Sequence, residues 1–186
     1  MPQIIASASI ENVVASATLN QNLDLNSIVK AFPHVEYKPE QFPGLVYKRK
    51  RPNTSLLIFG SGKLVCTGAK STRQVRRAVR ATVRDLEDGG ILIINRPKIE
   101  VQNIVASANL YGKIDLEKAT YILSRTMYEP EQFPGLIYRM EDPRVVILIF
   151  ASGKLVYTGA KKELDVYKSI NTLHNKVKTD ELISYE

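Results

Sequence analysis

Cysteine occurs once, at Cys66. The chain can therefore form no internal disulfide and no cysteine-based metal cluster, which fits a reducing intracellular compartment. Basic residues are missing from the amino-terminal stretch: no Lys or Arg precedes Lys30, and "IIASASIENVV" is broken by polar residues, so a secretory signal is not expected. Long hydrophobic runs are missing too. The longest, "VVILIFA" at 145–151, falls far short of the roughly 20 residues that span a bilayer. The two histidines, His34 and His174, stand at positions that do not correspond to each other in the repeat described below. Each is expected to be a surface or packing residue, and no metal or cofactor is called for.

What is present is a core-forming composition with an excess of positive charge. Hydrophobic residues make up 44% of 186, enough for one large or two small packed domains. The net charge of +7 points to an anionic partner, nucleic acid first.

The chain is also written twice. "NVVASATL" at 12–19 returns as "NIVASANL" at 103–110, "PEQFPGLVY" from 39 as "PEQFPGLIY" from 130, and "IFGSGKLVCTGAK" from 58 as "IFASGKLVYTGAK" from 149, each offset by 91 residues. That period is too long for a solenoid, whose repeats run about 20–50 residues. It predicts two similar lobes, 1–95 and 96–186, related by a pseudo-twofold axis and joined near "NRPKIE" at 95–100.

Each lobe reads in the same order. A strand comes first, then a short helix begun by Asp24 or Asp115 as N-cap, with apolar positions Leu25, Ile28, Val29 and Phe32, or Leu116, Ala119 and Leu123. Several strands follow over about 35–69 and 126–160, and a longer helix closes the lobe. In the first closing helix, Ser71 and Gln74 suit a capping box. Val75, Val79, Val83 and Leu86 form one face, and Arg73, Arg76, Arg77, Arg80 and Arg84 fall opposite, toward solvent. The second closing helix keeps the apolar face but mixes the polar one. Residues 1–95 hold 13 basic against 7 acidic residues, and 96–186 hold 13 against 12.

Two helices per lobe can cover only one face of an antiparallel sheet, so the other face should turn polar. Here it stays mildly apolar: Val14, Leu57, Phe59, Val65 and Thr67 share one parity, copied as Val105, Leu148, Phe150, Val156 and Thr158. Such a surface marks a binding site. Lys48, Lys63 and Lys70, with Arg139, Lys154 and Lys161, flank it as a rim suited to phosphates, and Asn12 and Asn103 place one amide in each strip. Pro43-Gly44 and Pro134-Gly135 read as turns in which glycine tolerates positive φ, and each carries a phenylalanine, Phe42 or Phe133, at its tip. Paired with Phe59 and Phe150, these could act as wedges that unstack base steps; as a plain alternative, all four could be core residues.

The blocks "PEQFPGLIYRM", "IFASGKLVYTGAK" and "QNIVASANL", with their first-lobe copies, closely resemble the TATA-box-binding protein family in its archaeal form, over essentially the whole chain. The resemblance implies an α+β saddle: two tandem repeats forming a curved ten-stranded antiparallel sheet, concave side on DNA and four helices on the convex face. It implies that Phe42 with Phe59 and Phe133 with Phe150 intercalate. Asn12, Val14, Leu57, Val65 and Thr67, with Asn103, Val105, Leu148, Val156 and Thr158, would line the minor groove. Ser61, Lys63, Ser152 and Lys154 would meet the backbone, beside Lys48, Lys70, Arg139 and Lys161 of the rim. Glu129 and Glu131 match the acidic positions that receive transcription factor B, through which RNA polymerase is reached. The implied setting is cytoplasmic and nucleoid-associated, or nuclear in a eukaryote. Two departures stand out: Lys48 lacks the guanidinium fork of its counterpart Arg139, and the chain is basic and ends at "ISYE" without an acidic tail. The arginine helix, 71–88, is either a solvated face or a docking surface for a regulator or distal DNA.

Other classes fit less well. "GSGK" at 60–63 resembles a phosphate loop but has Leu57 where the first glycine belongs and Leu64 after the lysine. No catalytic constellation is duplicated with the repeat. A protein scaffold using the apolar face, or a nonspecific DNA-bending protein, remains as the alternative.

Overall fold

In a computed structural model, residues 7–185 are described. The chain forms two compact units, one of residues 12–102 and the other of 103–185 with 7–11. Among the described residues, no helix is long and apolar enough to cross a membrane.

In the first unit, β1 (Ser7–Thr18, shared at its start with the other unit) leads to α1 (Leu25–Ala31), β2 (Leu45–Lys50), β3 (Asn53–Ile58), β4 (Lys63–Ala69) and α2 (Thr72–Asp88). The strands lie antiparallel in the order β2-β3-β4-β1. The second unit repeats this with β5 (Lys98–Asn109), β6 (Lys113–Ile114), α3 (Leu116–Ile122), β7 (Thr126–Met127), β8 (Leu136–Met140), β9 (Val145–Ile149), β10 (Lys154–Ala160), α4 (Glu163–Thr179) and β11 (Ile183–Ser184). Its order is β5-β10-β9-β8-β7, and β6 pairs with β11 apart from that sheet.

Among the described residues the large antiparallel sheet has nine strands where the sequence suggested ten. The counterpart of β7 in the first unit shrinks to an isolated bridge, Glu36↔Val46. Just before it, Pro33 stands in place of Ser124, and the Val35 amide turns back to the Phe32 carbonyl at 3.2 Å, closing a turn where the second unit runs on as a strand. In the second unit, Arg125 takes φ of 57° and its carbonyl accepts from the Arg139 amide at 3.2 Å, which extends the pairing.

The helices start where the caps said. Asp24 accepts from the Asn26 amide and Asp115 from the Lys118 amide. Ser71 accepts from the Gln74 amide at 3.0 Å, but the return bond from the Gln74 side chain reaches the Lys70 amide at 2.6 Å, one residue before the cap. Of the apolar positions expected on α1, Leu25 and Ile28 are buried while Val29 is exposed. Seven residues make too few turns to bury more than one narrow stripe.

Alternation does the rest. On β1, β3 and β4, the fully buried Val13, Ala15, Leu56, Ile58, Leu64 and Cys66 face α2, which offers Val75, Ala78, Val79 and Leu86. In the second unit Ile104, Ala106, Ile147, Ile149, Leu155 and Tyr157 meet Val166, Ile170, Leu173 and Val177 of α4. Each fully buried aliphatic side chain contributes about 1.5–3 kcal/mol, so this layer holds each unit together.

The buried layer makes the fold sensitive to alkali. Burial pushes the Cys66 thiol up to about 11. Burial first, then the Asp85 carboxylate, pushes Tyr47 up to about 12. Burial also raises Tyr138 and Tyr157. The unfolded chain ionises these groups near their ordinary values of 9.0 and 10.0 while the folded chain resists. Their stabilisation is therefore complete below about pH 9 and lost as pH rises toward 12. Guanidinium unfolding at pH 8 and pH 11 should show a lower midpoint at pH 11; equal midpoints would contradict this.

Candidate nucleic-acid interface

Opposite the helices, each unit keeps a second sheet face that no helix or strand of the described residues covers. In the first unit, strand register aligns Val46, Leu57, Val65 and Ser16 in one row and Lys48, Ser55 and Thr67 in the next. The second unit aligns Ile137, Leu148, Val156 and Ser107, then Arg139, Val146 and Thr158. Val14, Leu57, Val65 and Thr67, and Val105, Leu148, Val156 and Thr158, are all half-buried; the valines and leucines lie between buried neighbours along each strand, and each threonine lies between a buried residue and an exposed glycine. Val46 and Ile137 belong to the same strips but were not singled out from sequence. The signal was available in "LVY" and "LIY", whose outer residues point into the core and whose middle residue must point out.

The two asparagines are held by bulges. Pairing of β1 with β4 slips between Val13↔Ala69 and Ala15↔Cys66, and β10 slips against β5 between Tyr157 and Ala160. Gly68 and Gly159, both at φ 96°, carry the extra residue in a conformation that favours glycine. A bulge frees an amide from the ladder, and the asparagine takes it: the Gly68 amide donates to Asn12 Oδ1 at 2.7 Å, and the Gly159 amide to Asn103 Oδ1 at 2.7 Å. Each Nδ2 then donates to a threonine hydroxyl, Thr67 or Thr158, at 3.2 Å. With its oxygen fixed and one Nδ2 hydrogen on the threonine, each carboxamide keeps one N–H for the strip.

The phenylalanines are neither core nor isolated. The Gln41 and Phe42 amides both donate to the Lys38 carbonyl at 3.0 Å, and the Gln132 and Phe133 amides to the Glu129 carbonyl at 3.0 Å, closing two matching turns. Phe42 and Phe133 are each 41% exposed. Phe42 meets Phe59 edge to face with ring centroids 5.8 Å apart, and Phe133 meets Phe150 in the same way at 5.8 Å. The glycines of these turns do not adopt positive φ, contrary to the reading from sequence. Their role is space: a Cβ on Gly44 would lie 2.7 Å from the Phe42 ring and 3.0 Å from Phe59, and one on Gly135 would lie 2.7 Å and 3.1 Å from Phe133 and Phe150. An aromatic pair can fold over the turn only because no side chain stands there.

The rim residues Lys48, Lys63, Lys70, Arg139, Lys154 and Lys161 are exposed, as are Ser61 and Ser152 in the hairpin turns. Glu129 and Glu131 are exposed on the turn that carries Phe133, while the corresponding turn has Lys38 and Glu40. His34 lies edge-on to Tyr47 at 4.9 Å, and His174 faces the Tyr185 hydroxyl at 3.3 Å, with burial holding its pKa below the ordinary value. Neither belongs to the residue rows that form the strips.

Two repeats, each with an uncovered apolar sheet face, a fixed amide, an exposed aromatic pair and a basic rim, define a tandem-repeat protein of the nucleic-acid-binding class. The family model described as transcription factor TFIID, or TATA-binding protein, matches residues 7–88 and again 98–179. The chain belongs to the TATA-binding protein family. It is 58% identical over 171 residues to the TATA-box-binding protein of Pyrodictium occultum, covering 92% of this chain and 86% of that one. It is 54% identical over 172 residues to that of Sulfurisphaera tokodaii, covering 92% and 87%. Among solved structures, Methanococcus jannaschii TBP superposes with a TM-score of 0.83 at 44% identity, over 93% of this chain and 99% of that chain.

Proposed function

We propose that this chain is a TATA-box-binding general transcription factor that reads promoter DNA through the minor groove, bends it, and receives transcription factor B and then RNA polymerase. The observation that carries the reading is the exposed edge-to-face phenylalanine pair at the end of an uncovered apolar strip, present once in each repeat. Each repeat, 1–95 and 96–186, would take half of the DNA site.

The chemistry of selection follows from the strip. In the minor groove A·T and T·A pairs show acceptors only, while G·C adds the guanine amino donor. Val14, Val46, Leu57 and Val65 offer that donor nothing and leave it no room, whereas Asn12 and Asn103 supply donors to the acceptors. The phenylalanine pairs enter between base steps at the two ends, the wedge mechanism for which TATA-binding proteins are the known example. TA steps unstack readily, so deformation adds sequence preference where no base-specific bond forms. Energy transfer between dyes at the two ends of a short TATA duplex tests the reading: binding should bring the ends together, and binding without a change in transfer would refute it.

The repeats differ where phosphates would arrive. Along β2 the row Val46, Lys48 continues to Lys50, while along β8 the row Ile137, Arg139 continues to Glu141, which pairs with Arg125 at 2.5 Å. Lys50→Glu should lower the slope of log affinity against log salt by about 1, and Glu141→Lys should raise it by about 1. Anisotropy titrations across a salt series read both; unchanged slopes would remove these positions from the DNA path.

Glu129, where the first turn has Lys38, distinguishes the second turn, and with Glu131 it would form the acidic surface for transcription factor B. Charge reversal of both to arginine should leave TATA binding intact and abolish the ternary complex in a gel shift. A ternary complex that survives would move the contact elsewhere.

A further inference from the structure

Behind the sheet of the first unit, the second half of α2 and the segment 93–97 flank an open recess of about 520 Å³, lined by Arg80, Val83, Arg84, Glu87, Ile93, Arg96 and their neighbours. Its volume is that of a small-molecule site. Arg80 and Arg84 are four residues apart and share one face of the helix, and Arg96 joins them from the segment after it. Among the described residues no carboxylate pairs with any of the three, and Glu87, in the same recess, makes no ion pair with them.

The wall opposite the helix is built, not loose. The Ile91 amide donates to the Leu86 carbonyl at 2.9 Å. The Gln21 side chain then clamps the segment from both sides of its amide: Nε2 donates to the Leu92 carbonyl at 2.8 Å and Oε1 accepts from the Ile94 amide at 2.7 Å. Asn95 Nδ2 donates to the Leu19 carbonyl at 2.9 Å. The recess therefore exists before any ligand arrives.

The fold does not require these cations. At the corresponding positions α4 carries Asn171, Asn175 and Lys178 in place of Arg80, Arg84 and Glu87. Like charges four apart weaken a helix, so the arginines are retained at a cost to α2.

We propose that this recess binds a phosphate-bearing ligand, its oxyanion gripped by Arg80, Arg84 and Arg96. Guanidinium forks match the tetrahedral oxyanion, and an open recess with an apolar wall of Val83, Ile93 and Pro97 suits a small phosphorylated molecule or one phosphate of a nucleic-acid backbone. The proposal does not rest on the groove-face reading.

The test is a titration of the full chain with tripolyphosphate, followed by amide and arginine Nε–H resonances. A saturable site should move the signals of residues 80–97, and Arg80→Gln/Arg84→Gln/Arg96→Gln should weaken it about tenfold or more. The triple variant should keep wild-type TATA affinity, which separates this site from the groove face. Glu87→Gln should tighten tripolyphosphate binding. A G·C duplex that displaces tripolyphosphate from the recess identifies a DNA backbone as the source of the phosphate; failure to displace it identifies a free phosphorylated ligand. No movement at 80–97 in millimolar tripolyphosphate, an unchanged titration of the triple variant, or occupancy by a polyglutamate peptide alone would overturn the proposal.

Discussion

Phe133→Ala should weaken binding to a TATA duplex about tenfold and reduce the bend at the same time. Phe133 is 41% exposed in the free protein, so insertion between bases buries ring surface that water now holds. Full burial of such a side chain contributes about 1.5–3 kcal/mol, and losing half or more of that is about one decade in affinity. The bend falls because the wedge holds a base step open. Phe42→Ala should act alike, since its ring has the same exposure and the same partner geometry against Phe59. Neither ring is part of the buried core, so both variants should fold. Weaker binding with full energy transfer between the duplex ends would mean that the rings contact DNA without unstacking it.

Asp85→Ala should give the largest loss of stability from a single change outside the apolar core. Arg49 extends from β2 beneath α2, with only 13% of its side chain exposed. Its Nη1 pairs with the Asp85 carboxylate and lies 3.3 Å from the Thr82 hydroxyl, while the Tyr47 hydroxyl donates to the same carboxylate at 3.1 Å. Removing the carboxylate strands a guanidinium away from water, at a cost of about 2–4 kcal/mol. For a protein of this size that lowers Tm by roughly 5–15 °C. The reverse change should cost much less. Met140 fills the corresponding position of the second repeat, and Asp85 is 40% exposed, so Arg49→Met leaves a carboxylate that water can still solvate. Equal melting points for the two variants would show that the ion pair contributes little.

The contrast between these two predictions shows which features could be read from the chain. The repeat offset places Phe42 against Phe133 and Asn12 against Asn103 without any structure, and strand parity divides Leu56 and Ile58 from Leu57 and Phe59 correctly. Both depend on local periodicity, which sequence carries openly. Arg49–Asp85 depends on two residues 36 apart meeting across a sheet and a helix, and nothing local announces it. Arg49 reads as one more rim cation in "KRKR" until the pleat turns it inward. The same holds for Gln21, whose side chain pins a segment 71 residues away. Gly44 and Gly135 read from sequence as turn residues suited to positive φ; the need for space beneath two rings appears only once both rings are placed. The tenth strand gives way to a turn in which the Val35 amide meets the Phe32 carbonyl, a backbone bond that the strand pattern does not announce.

The central claim is that apolar strips read the minor groove. It is tested most directly by the affinity for three duplexes of one length, measured by fluorescence anisotropy: a TATA site, the same site with its A·T pairs replaced by inosine·cytosine, and the same with G·C. Inosine·cytosine keeps the A·T minor-groove surface and presents a G·C-like major groove, so it separates the two modes of readout. Near-equal binding to the first two is expected, with a loss of about a hundredfold or more for G·C, as several base pairs each lose about 1–3 kcal/mol. Inosine·cytosine binding as weak as G·C would contradict minor-groove readout.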